Sequence, residues 1–346
     1  MDDIILNQTG DMAAMLLCFP HLQDSCPRFV RLTIVRVVMY AFMVITILMT
    51  VCGNLLVIIS ITHFKQLHSP TNFILRSLAV VDCCLGCFVM PFSMVRSVEG
   101  CWYMGENFCK VHSSLDMMLC TTSILHLCLV SIDRYYAICD PLQYSTKVTV
   151  FKVISGTIII WLFSFLFCFG VVFSGVNMVG LETFILMTYC EGSCALFFNK
   201  EWGIIAPTVS FYIPAAVMTC LYIKIFHVAR KHAKVMSDRL ATVTCSELKN
   251  QASEQRERKA AKTLAIVMGV FLLCWLPYFI SALIDPFVNF QTPVVIFDAL
   301  VWFAYFNSTC NPVIYAFFYP HFRKAFKIII AKISGMRTNT HILVVE

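Results

Sequence analysis

Seven long apolar segments limit this chain to very few architectures. Each reaches the roughly 20 residues that a helix needs to cross the hydrocarbon core of a bilayer. They cover residues 37–62, 77–95, 109–136, 153–181, 203–223, 263–284 and 299–320. Because no water reaches the backbone inside a bilayer, each segment must satisfy its own hydrogen bonds as an α-helix. The sequence therefore predicts an all-α membrane protein folded as a seven-transmembrane helix bundle.

The charged residues predict how this bundle is oriented. Only 13% of the chain is charged, against about 25% in soluble domains. Most of the 26 Lys and Arg follow the first, third, fifth or seventh segment. By the positive-inside rule, this places the N-terminus outside. We expect an extracellular tail at 1–33, the bundle at 34–318 and a cytoplasmic region at 319–346. The net charge of +6 then reflects topology, and no nucleic-acid partner is expected.

Three features outside the spans carry further expectations. The acidic first residues lack the basic flank of a cleavable signal peptide, so the first span is expected to direct insertion. Asn7-Gln8-Thr9 makes Asn7 a candidate glycosylation site on the outer tail. After the seventh segment, Phe322, Phe326, Ile329 and Ile330 share one face at helical spacing. This pattern predicts a short amphipathic helix on the inner membrane surface.

The third segment carries charge at both of its ends. Asp116 lies near its start, and Asp133-Arg134-Tyr135 lies at its end. An acid within a span costs roughly 2.5–3.5 kcal/mol on insertion scales, so it usually faces a functional cavity. At 1.5 Å per residue, Asp116 and Arg134 are about 27 Å apart. The segment predicts a sensing site near one membrane face and a reporting arginine at the other. The alternative is that Asp116 serves no ligand and only accepts hydrogen bonds from a Tyr or Ser of the bundle.

A set of short motifs, one in each segment, identifies a family. They are Gly53-Asn54, Asp82, Asp133-Arg134-Tyr135, Trp161, Pro214, Cys274-Trp275-Leu276-Pro277 and Asn311-Pro312-Val313-Ile314-Tyr315. With these motifs the chain resembles the rhodopsin-like G protein-coupled receptors over nearly its whole length. The run NSTCNPVIYAFFYPHF at 307–322 looks like the signature of the trace amine-associated receptors. His321 departs from it, since the signature usually has Trp there.

The resemblance implies a ligand site around Asp116, which would pair with a protonated primary amine. The other residues expected to line this site are Met117, Cys120, Ser210, Trp275, Tyr278, Phe279, Trp302 and Tyr305. Ser210 is the one hydroxyl well placed before Pro214, and no second acid lies there. This composition favours a small, mostly apolar primary amine over a catechol or a diamine.

The resemblance also implies how the chain signals. It implies a receptor of the plasma membrane, and of sensory cilia in olfactory neurons, that activates a stimulatory or olfactory-type heterotrimeric G protein and raises cyclic AMP. The switch residues would be Asp133, Arg134, Tyr135, Glu257, Asn311, Pro312 and Tyr315. Glu257 would pair with Arg134 and hold the sixth helix closed. The alternative is that Glu257 is solvated among its basic neighbours.

A buried sodium site is the only cofactor that the resemblance implies. It would consist of Asp82, Ser123, Asn307 and Asn311, with a sodium ion favouring the inactive arrangement. The alternative is a polar cluster filled with water. No other metal is expected: the spacing of Cys190 and Cys194 could suggest zinc, but no second pair accompanies them on the outer side.

Six cysteines fall on the predicted outer side, where the environment is oxidising. Their pairing cannot be deduced from sequence alone. The resemblance implies Cys109–Cys194, which would hold the second outer loop over the ligand site and bring Phe197 or Phe198 to its lid. It also implies Cys26–Cys190, with Cys26 preferred to Cys18 as the partner from the tail.

Three other functions were weighed against this interpretation. A biogenic-amine receptor for serotonin or histamine would share Asp116 but not the 307–322 signature. An amine transporter would be expected to show repeat symmetry and paired broken helices, which the seven unlike segments do not suggest. A membrane enzyme would need a catalytic motif such as HExxH or GxSxG, and the sequence has neither. The chain is therefore not expected to be an enzyme.

Overall fold

The computed structural model describes residues 17–28, 31–239 and 247–334, without the side chains of 229, 232–239, 247–265, 320 and 333. This part of the chain is almost entirely helical. The helices are α1 (Thr33–His63), α2 (Pro70–Phe88), α3 (Met90–Glu99), α4 (Glu106–Cys139), α5 (Pro141–Lys147), α6 (Val150–Ser174), α7 (Glu182–Thr188), α8 (Lys200–Pro207), α9 (Ile213–Arg239), α10 (Glu247–Ile284), α11 (Val294–Phe318) and α12 (Pro320–Ile333).

These helices form the seven spans of the bundle. The first, third, fourth, sixth and seventh spans are α1, α4, α6, α10 and α11. The second joins α2 to α3 at Val89, and the fifth joins α8 to α9 through a π-helical turn at Thr208–Tyr212. Within the described residues, six of the seven spans are long and apolar enough to cross a membrane by length and composition.

The seventh span, α11, falls below that apolarity because of a polar stretch near its middle. Asn307, Ser308, Thr309 and Asn311 are all buried, and α11 packs against α1 and α10. These polar groups therefore face other helices rather than lipid. Hydropathy averages over both faces and so underestimates a span of this kind.

The outer surface of the bundle is apolar. Ile159 and Leu166 on α6 are 64% and 68% exposed, and Val38 on α1 is 59% exposed. Soluble monomers rarely expose large contiguous apolar patches, and such patches mark protein or membrane contact. An apolar exterior around a polar interior is the arrangement that lipid requires.

The two ends of the bundle differ in how they are closed. Three disulfides, Cys18–Cys101, Cys26–Cys190 and Cys109–Cys194, lie at one end, called here the disulfide end. At the other end, which contains Arg134, the polypeptide turns through the short helix α5 and the helix α12. Local capping defines several of the helix starts: Ser69 accepts from the Asn72 N–H at the start of α2, and Asn199 accepts from the Trp202 N–H at the start of α8.

Close packing at the Arg134 end depends on one glycine and on α12. A Cβ on Gly53 would lie 3.0 Å from the Pro312 ring, so α1 and α11 can approach this closely only with glycine there. The amphipathic helix is present as α12, but Phe322 and Phe326 pack into the bundle core while Ile330 is 51% exposed. The apolar face of α12 is therefore shared between the bundle and its surroundings.

Candidate functional site

Asp116 lies on α4 in the outer half of the bundle. The Tyr305 hydroxyl on α11 donates to its Oδ2 at 2.7 Å, and the Cys120 thiol donates to Oδ1 at 3.4 Å. Asp116 is half-buried, and no Lys, Arg or His nitrogen of the described residues lies within ion-pair distance of it. The carboxylate is thus oriented by two donors and has no cation of its own.

The outer helix α3 supports the partners of Asp116. Ser93 Oγ lies 3.3 Å from the Tyr305 hydroxyl and 3.3 Å from His112 Nε2. One turn further along, Ser97 Oγ accepts from the Trp302 indole N–H at 3.2 Å. Sequence reasoning named Tyr305 and Trp302 but missed these three supporting groups. The spacing of the two serines, four residues apart on one face, was the available signal.

Aromatic rings fill the space beside this acid. Trp275, Tyr278 and Phe279 share a face of α10, with Phe279 5.8 Å from Trp275 and 5.1 Å from Tyr278 between ring centroids. Phe211 stacks on Phe279 at 4.4 Å and is fully buried. Sequence reasoning missed Phe211, because it lies in the π turn where regular spacing does not apply. Cys120 packs at the boundary between this aromatic cluster and the cluster around Trp302.

Two of the expected lining residues occupy less central positions. Ser210 is 4% exposed, and its Oγ accepts a hydrogen bond from the Thr121 hydroxyl at 3.2 Å. The π turn adds a residue to one helical turn, so directions counted from Pro214 along a regular helix do not hold for Ser210. Met117 is half-buried on α4 beside Asp116.

Asp82 is the centre of a second polar cluster, deeper in the bundle. Its carboxylate is fully buried and accepts hydrogen bonds from Ser123 at 3.0 Å, Ser308 at 2.8 Å and Asn311 at 2.8 Å. Asn307 is not among these donors, and its buried Oδ1 has no hydrogen-bond partner in the described residues. Sequence reasoning named Asn307 and missed Ser308, because the rotation of α11 decides which of these two neighbours faces Asp82.

The Asp82 cluster has the ligand chemistry of a small-cation site. Hard cations prefer oxygen ligands, especially carboxylates supplemented by carbonyl and hydroxyl oxygens. The cluster offers the Asp82 carboxylate and the hydroxyls of Ser123 and Ser308. This donor set fits a monovalent cation such as sodium.

Asp133 and Arg134 form an internal ion pair at the other end of α4. Arg134 Nε donates to Asp133 Oδ2 at 2.8 Å. Asp133 also accepts from the Thr71 hydroxyl at 2.8 Å and from the Tyr144 hydroxyl at 2.9 Å, and Arg134 donates to Thr71 as well. Burial, together with the nearby Asp133 charge, raises the pKa of Tyr144, so this hydroxyl stays a donor. Thr71 and Tyr144 were missed by sequence reasoning.

The other expected switch residues surround this ion pair or lie on α10 and α11. Tyr135 packs beside Ile138 and Ile225. Tyr315 is buried against Phe322 of α12, with ring centroids 5.8 Å apart. Glu257 belongs to α10, but its side chain lies outside the described residues. The Asn7 glycosylation sequon also lies outside them.

The disulfides contain the two pairs implied by resemblance and one that was not anticipated. Cys109 pairs with Cys194 and Cys26 with Cys190, while Cys18 pairs with Cys101. The tail is therefore tied to two different outer loops. Phe197, expected near a lid over Asp116, packs instead between Phe184 and Phe290 of the outer loops.

Comparison with known proteins agrees with this geometry. Residues 53–315 match the family model described as "7 transmembrane receptor (rhodopsin family)". Trace amine-associated receptor 4 of Rattus norvegicus is 53% identical over 314 residues, which are 90% of each chain. Trace amine-associated receptor 2 of Homo sapiens is 50% identical over 315 residues, covering 90% of this chain and 87% of the relative. Trace amine-associated receptor 1 of Homo sapiens is 48% identical over 318 residues, covering 91% and 94%.

Both the family match and the similarity cover most of the chain, including every span that contributes to the Asp116, Asp82 and Arg134 clusters. A cell-surface receptor is not an enzyme, in agreement with the missing catalytic motifs. This chain belongs to the rhodopsin family of seven-transmembrane receptors and, within that family, to the trace amine-associated receptors.

Proposed function

We propose that this multi-pass receptor of the plasma membrane binds a small protonated primary amine at Asp116 and activates a stimulatory or olfactory-type G protein, raising cyclic AMP. The observation that carries the proposal is the Asp116 carboxylate, which Tyr305 orients at 2.7 Å and which has no cationic partner in the described residues. An ammonium ion would supply the missing charge through a short, charge-assisted hydrogen bond.

The surroundings of Asp116 favour an amine with an apolar body. Trp275, Tyr278 and Phe279 supply ring faces that suit an arene or alkyl group and add cation–π attraction to an ammonium. Ser210 is 4% exposed and its hydroxyl accepts from Thr121, so it is a poor candidate for binding a catechol. Volatile amines match this chemistry, which supports a role in the sensory cilia of olfactory neurons.

The signalling step is proposed to start at the ligand and end at Arg134. Amine binding against the Trp275 face would swing α10 about Pro277, a position where the helix lacks a backbone hydrogen bond. Arg134 would then become available to the G protein. A sodium ion on Asp82, Ser123 and Ser308 would oppose this change by stabilising the inactive arrangement.

A cyclic AMP assay on cells expressing the receptor tests the proposal. We expect the response to primary amines to exceed that to tertiary amines and diamines of similar size. Expression of the parent vector alone is the control. Accumulation of a labelled primary amine inside the cells without any cyclic AMP response would contradict the proposal and favour transport.

A further inference from the structure

A cavity lies at the disulfide end, and the residues that form it are far from Asp116 along the chain. Its volume is about 130 Å³, and it opens between the loop that carries α7, the start of α8 and the turn after α10. Its walls are mainly apolar, formed by Leu181, Phe184, Phe198, Pro286 and Phe290. An engineered cavity of about 150 Å³ in another protein holds one benzene ring. The space therefore suits a single arene.

Part of the cavity wall is the turn after α10, which internal hydrogen bonds hold in shape. Thr292 donates through its hydroxyl to Asp285 Oδ1 at 2.5 Å, and the Phe290 N–H donates to the Asp285 carbonyl at 3.0 Å. Asn289 and Phe290 adopt φ of 54° and 55°, a left-handed conformation that is uncommon outside glycine. Two successive residues held in this conformation direct the Phe290 ring onto Phe184, 5.0 Å away between centroids.

The floor of the cavity is equally close-packed. A Cβ on Gly203 of α8 would lie 2.6 Å from Pro286 Cγ, so glycine is needed for this approach. The fifth span and the turn after the sixth span therefore meet directly beneath the cavity. The space is a formed pocket between two elements in contact.

One lysine at the edge of this cavity has no acidic partner among the described residues. Lys200 is exposed, lines the cavity and lies with its Nζ 6.0 Å from the centroid of the Phe287 ring. None of the carboxylates in the described part of the chain forms an ion pair with it. Glu182, next to the lining residue Leu181, accepts the Gly180 N–H at 3.0 Å, and this bond lowers the pKa of Glu182.

From these observations we infer that the cavity is a second ligand site, for a small aromatic carboxylate. The ring would lie against Phe184, Phe198 and Phe290, and the carboxylate would pair with Lys200. The charge preference is opposite to that of Asp116, because Lys200 repels an ammonium. The residues that line this cavity differ from Tyr305 and Cys120, which hold Asp116, so the two ligands occupy separate sites.

Fluorine NMR of 4-fluorobenzoate with the purified full-length receptor in nanodiscs of zwitterionic lipid tests this inference. We expect saturable binding, after subtraction of empty nanodiscs, that persists in Asp116→Asn. Lys200→Gln should weaken binding about threefold, within the range for an exposed ion pair, and Lys200→Glu should weaken it about tenfold or more. Lys110→Gln is the matched control, since this outer lysine pairs with Glu106 instead.

A second variant tests the ring contacts. Phe290→Asn removes the arene but keeps a residue that tolerates the left-handed conformation, and we expect it to abolish binding. Thermal unfolding temperatures equal to the parent's would show that the variants are folded. The inference would be overturned if the parent showed no saturable binding, or if Lys200→Glu bound 4-fluorobenzoate as tightly as the parent. It would also be overturned if Asp116→Asn bound 4-fluorobenzylammonium as tightly as 4-fluorobenzoate. None of these outcomes depends on the amine response at Asp116.

Discussion

Asp116 and Asp133 lie on the same helix, about 25 Å apart along its axis, yet their environments are opposite. Asp133 is 2% exposed and accepts from Arg134, Thr71 and Tyr144. Asp116 is half-buried, and among the described residues it accepts from the Tyr305 hydroxyl and the Cys120 thiol. Among the described residues, Asp133 therefore has a cationic partner, whereas the partners of Asp116 are neutral donors.

This difference suggests how one helix serves two purposes. A carboxylate that already pairs with an arginine gains little from an external cation, so Asp133 is suited to holding Arg134 in place. A carboxylate with neutral donors in a partly dry site gains from a cation that arrives with a ligand. The predictions that follow perturb one end of α4 at a time and compare binding with signalling.

The largest effect is expected at the signalling end. Arg134→Ala should abolish the cyclic AMP response while leaving amine binding measurable, because Arg134 lies at the opposite end of α4 from the ligand. Radioligand binding and cyclic AMP, measured on the same cells, provide the two readouts. Loss of binding in parallel with signalling, at matched surface expression, would mean that the two ends of α4 are not separable.

Asp116→Asn should produce the next largest effect. It keeps the shape of the side chain and removes the charge, so the binding free energy of the amine should weaken by about 2–5 kcal/mol. This is the range for truncating one partner of a buried charge pair. This corresponds to about 30-fold or more. Glu106→Gln, which removes an exposed acid on the same helix, is the control and should leave potency unchanged. Equal potency in Asp116→Asn and the parent would remove Asp116 from the ligand site.

Glu257→Ala tests whether a second acid restrains the Arg134 end. If Glu257 pairs with Arg134, the substitution removes part of what stabilises the inactive arrangement relative to the active one. A loss of about 1.4 kcal/mol would raise the active-to-inactive ratio about tenfold. Cyclic AMP without ligand should then rise at matched surface expression. Basal signalling equal to the parent's would mean that Glu257 does not restrain the arginine.

Tyr305→Phe should weaken amine binding more modestly. The substitution removes the hydroxyl that orients Asp116 but leaves its charge, so a loss of about 1 kcal/mol, roughly fivefold, is expected. Tyr278→Phe makes the same change to a neighbouring tyrosine that has no hydrogen bond to Asp116. A larger loss in Tyr278→Phe than in Tyr305→Phe would contradict the assigned geometry.

The smallest effect concerns the Asp82 cluster. Replacing sodium by choline in the binding buffer should raise amine affinity of the parent about two- to threefold, because sodium on Asp82 would favour the inactive arrangement. Asp82→Asn should remove this sodium dependence. A sodium effect that persists in Asp82→Asn would place the ion elsewhere.

Much of this architecture could be predicted from single segments of the sequence. The length and apolarity of each run predict a span, and the positions of Asp116 and Arg134 along one helix follow from its constant rise. Family resemblance also placed Tyr305 beside Asp116. The i, i+3, i+4 spacing indicated the shared face of Trp275, Tyr278 and Phe279.

The remaining details depend on how the helices are rotated and joined. Ser308 rather than Asn307 reaches Asp82, Ser210 meets Thr121, and Phe211 stacks on Phe279. Each contact joins two helices, and a rotation of one residue about an axis, or one π turn, changes the partner. Linear spacing within a helix carries no information about its neighbour's rotation, so these contacts appear only once the bundle is assembled.

The cysteines show the same division. Their number and their outer positions can be read from the chain, but the Cys18–Cys101 pair cannot. Disulfide formation requires Cα atoms within about 4.4–6.8 Å, and the 5.6 Å separation of this pair arises from the folding of the tail onto the first outer loop. Composition and periodicity thus determine the spans and the charges on them, while the packing of the loops and the rotation of the helices determine which groups meet.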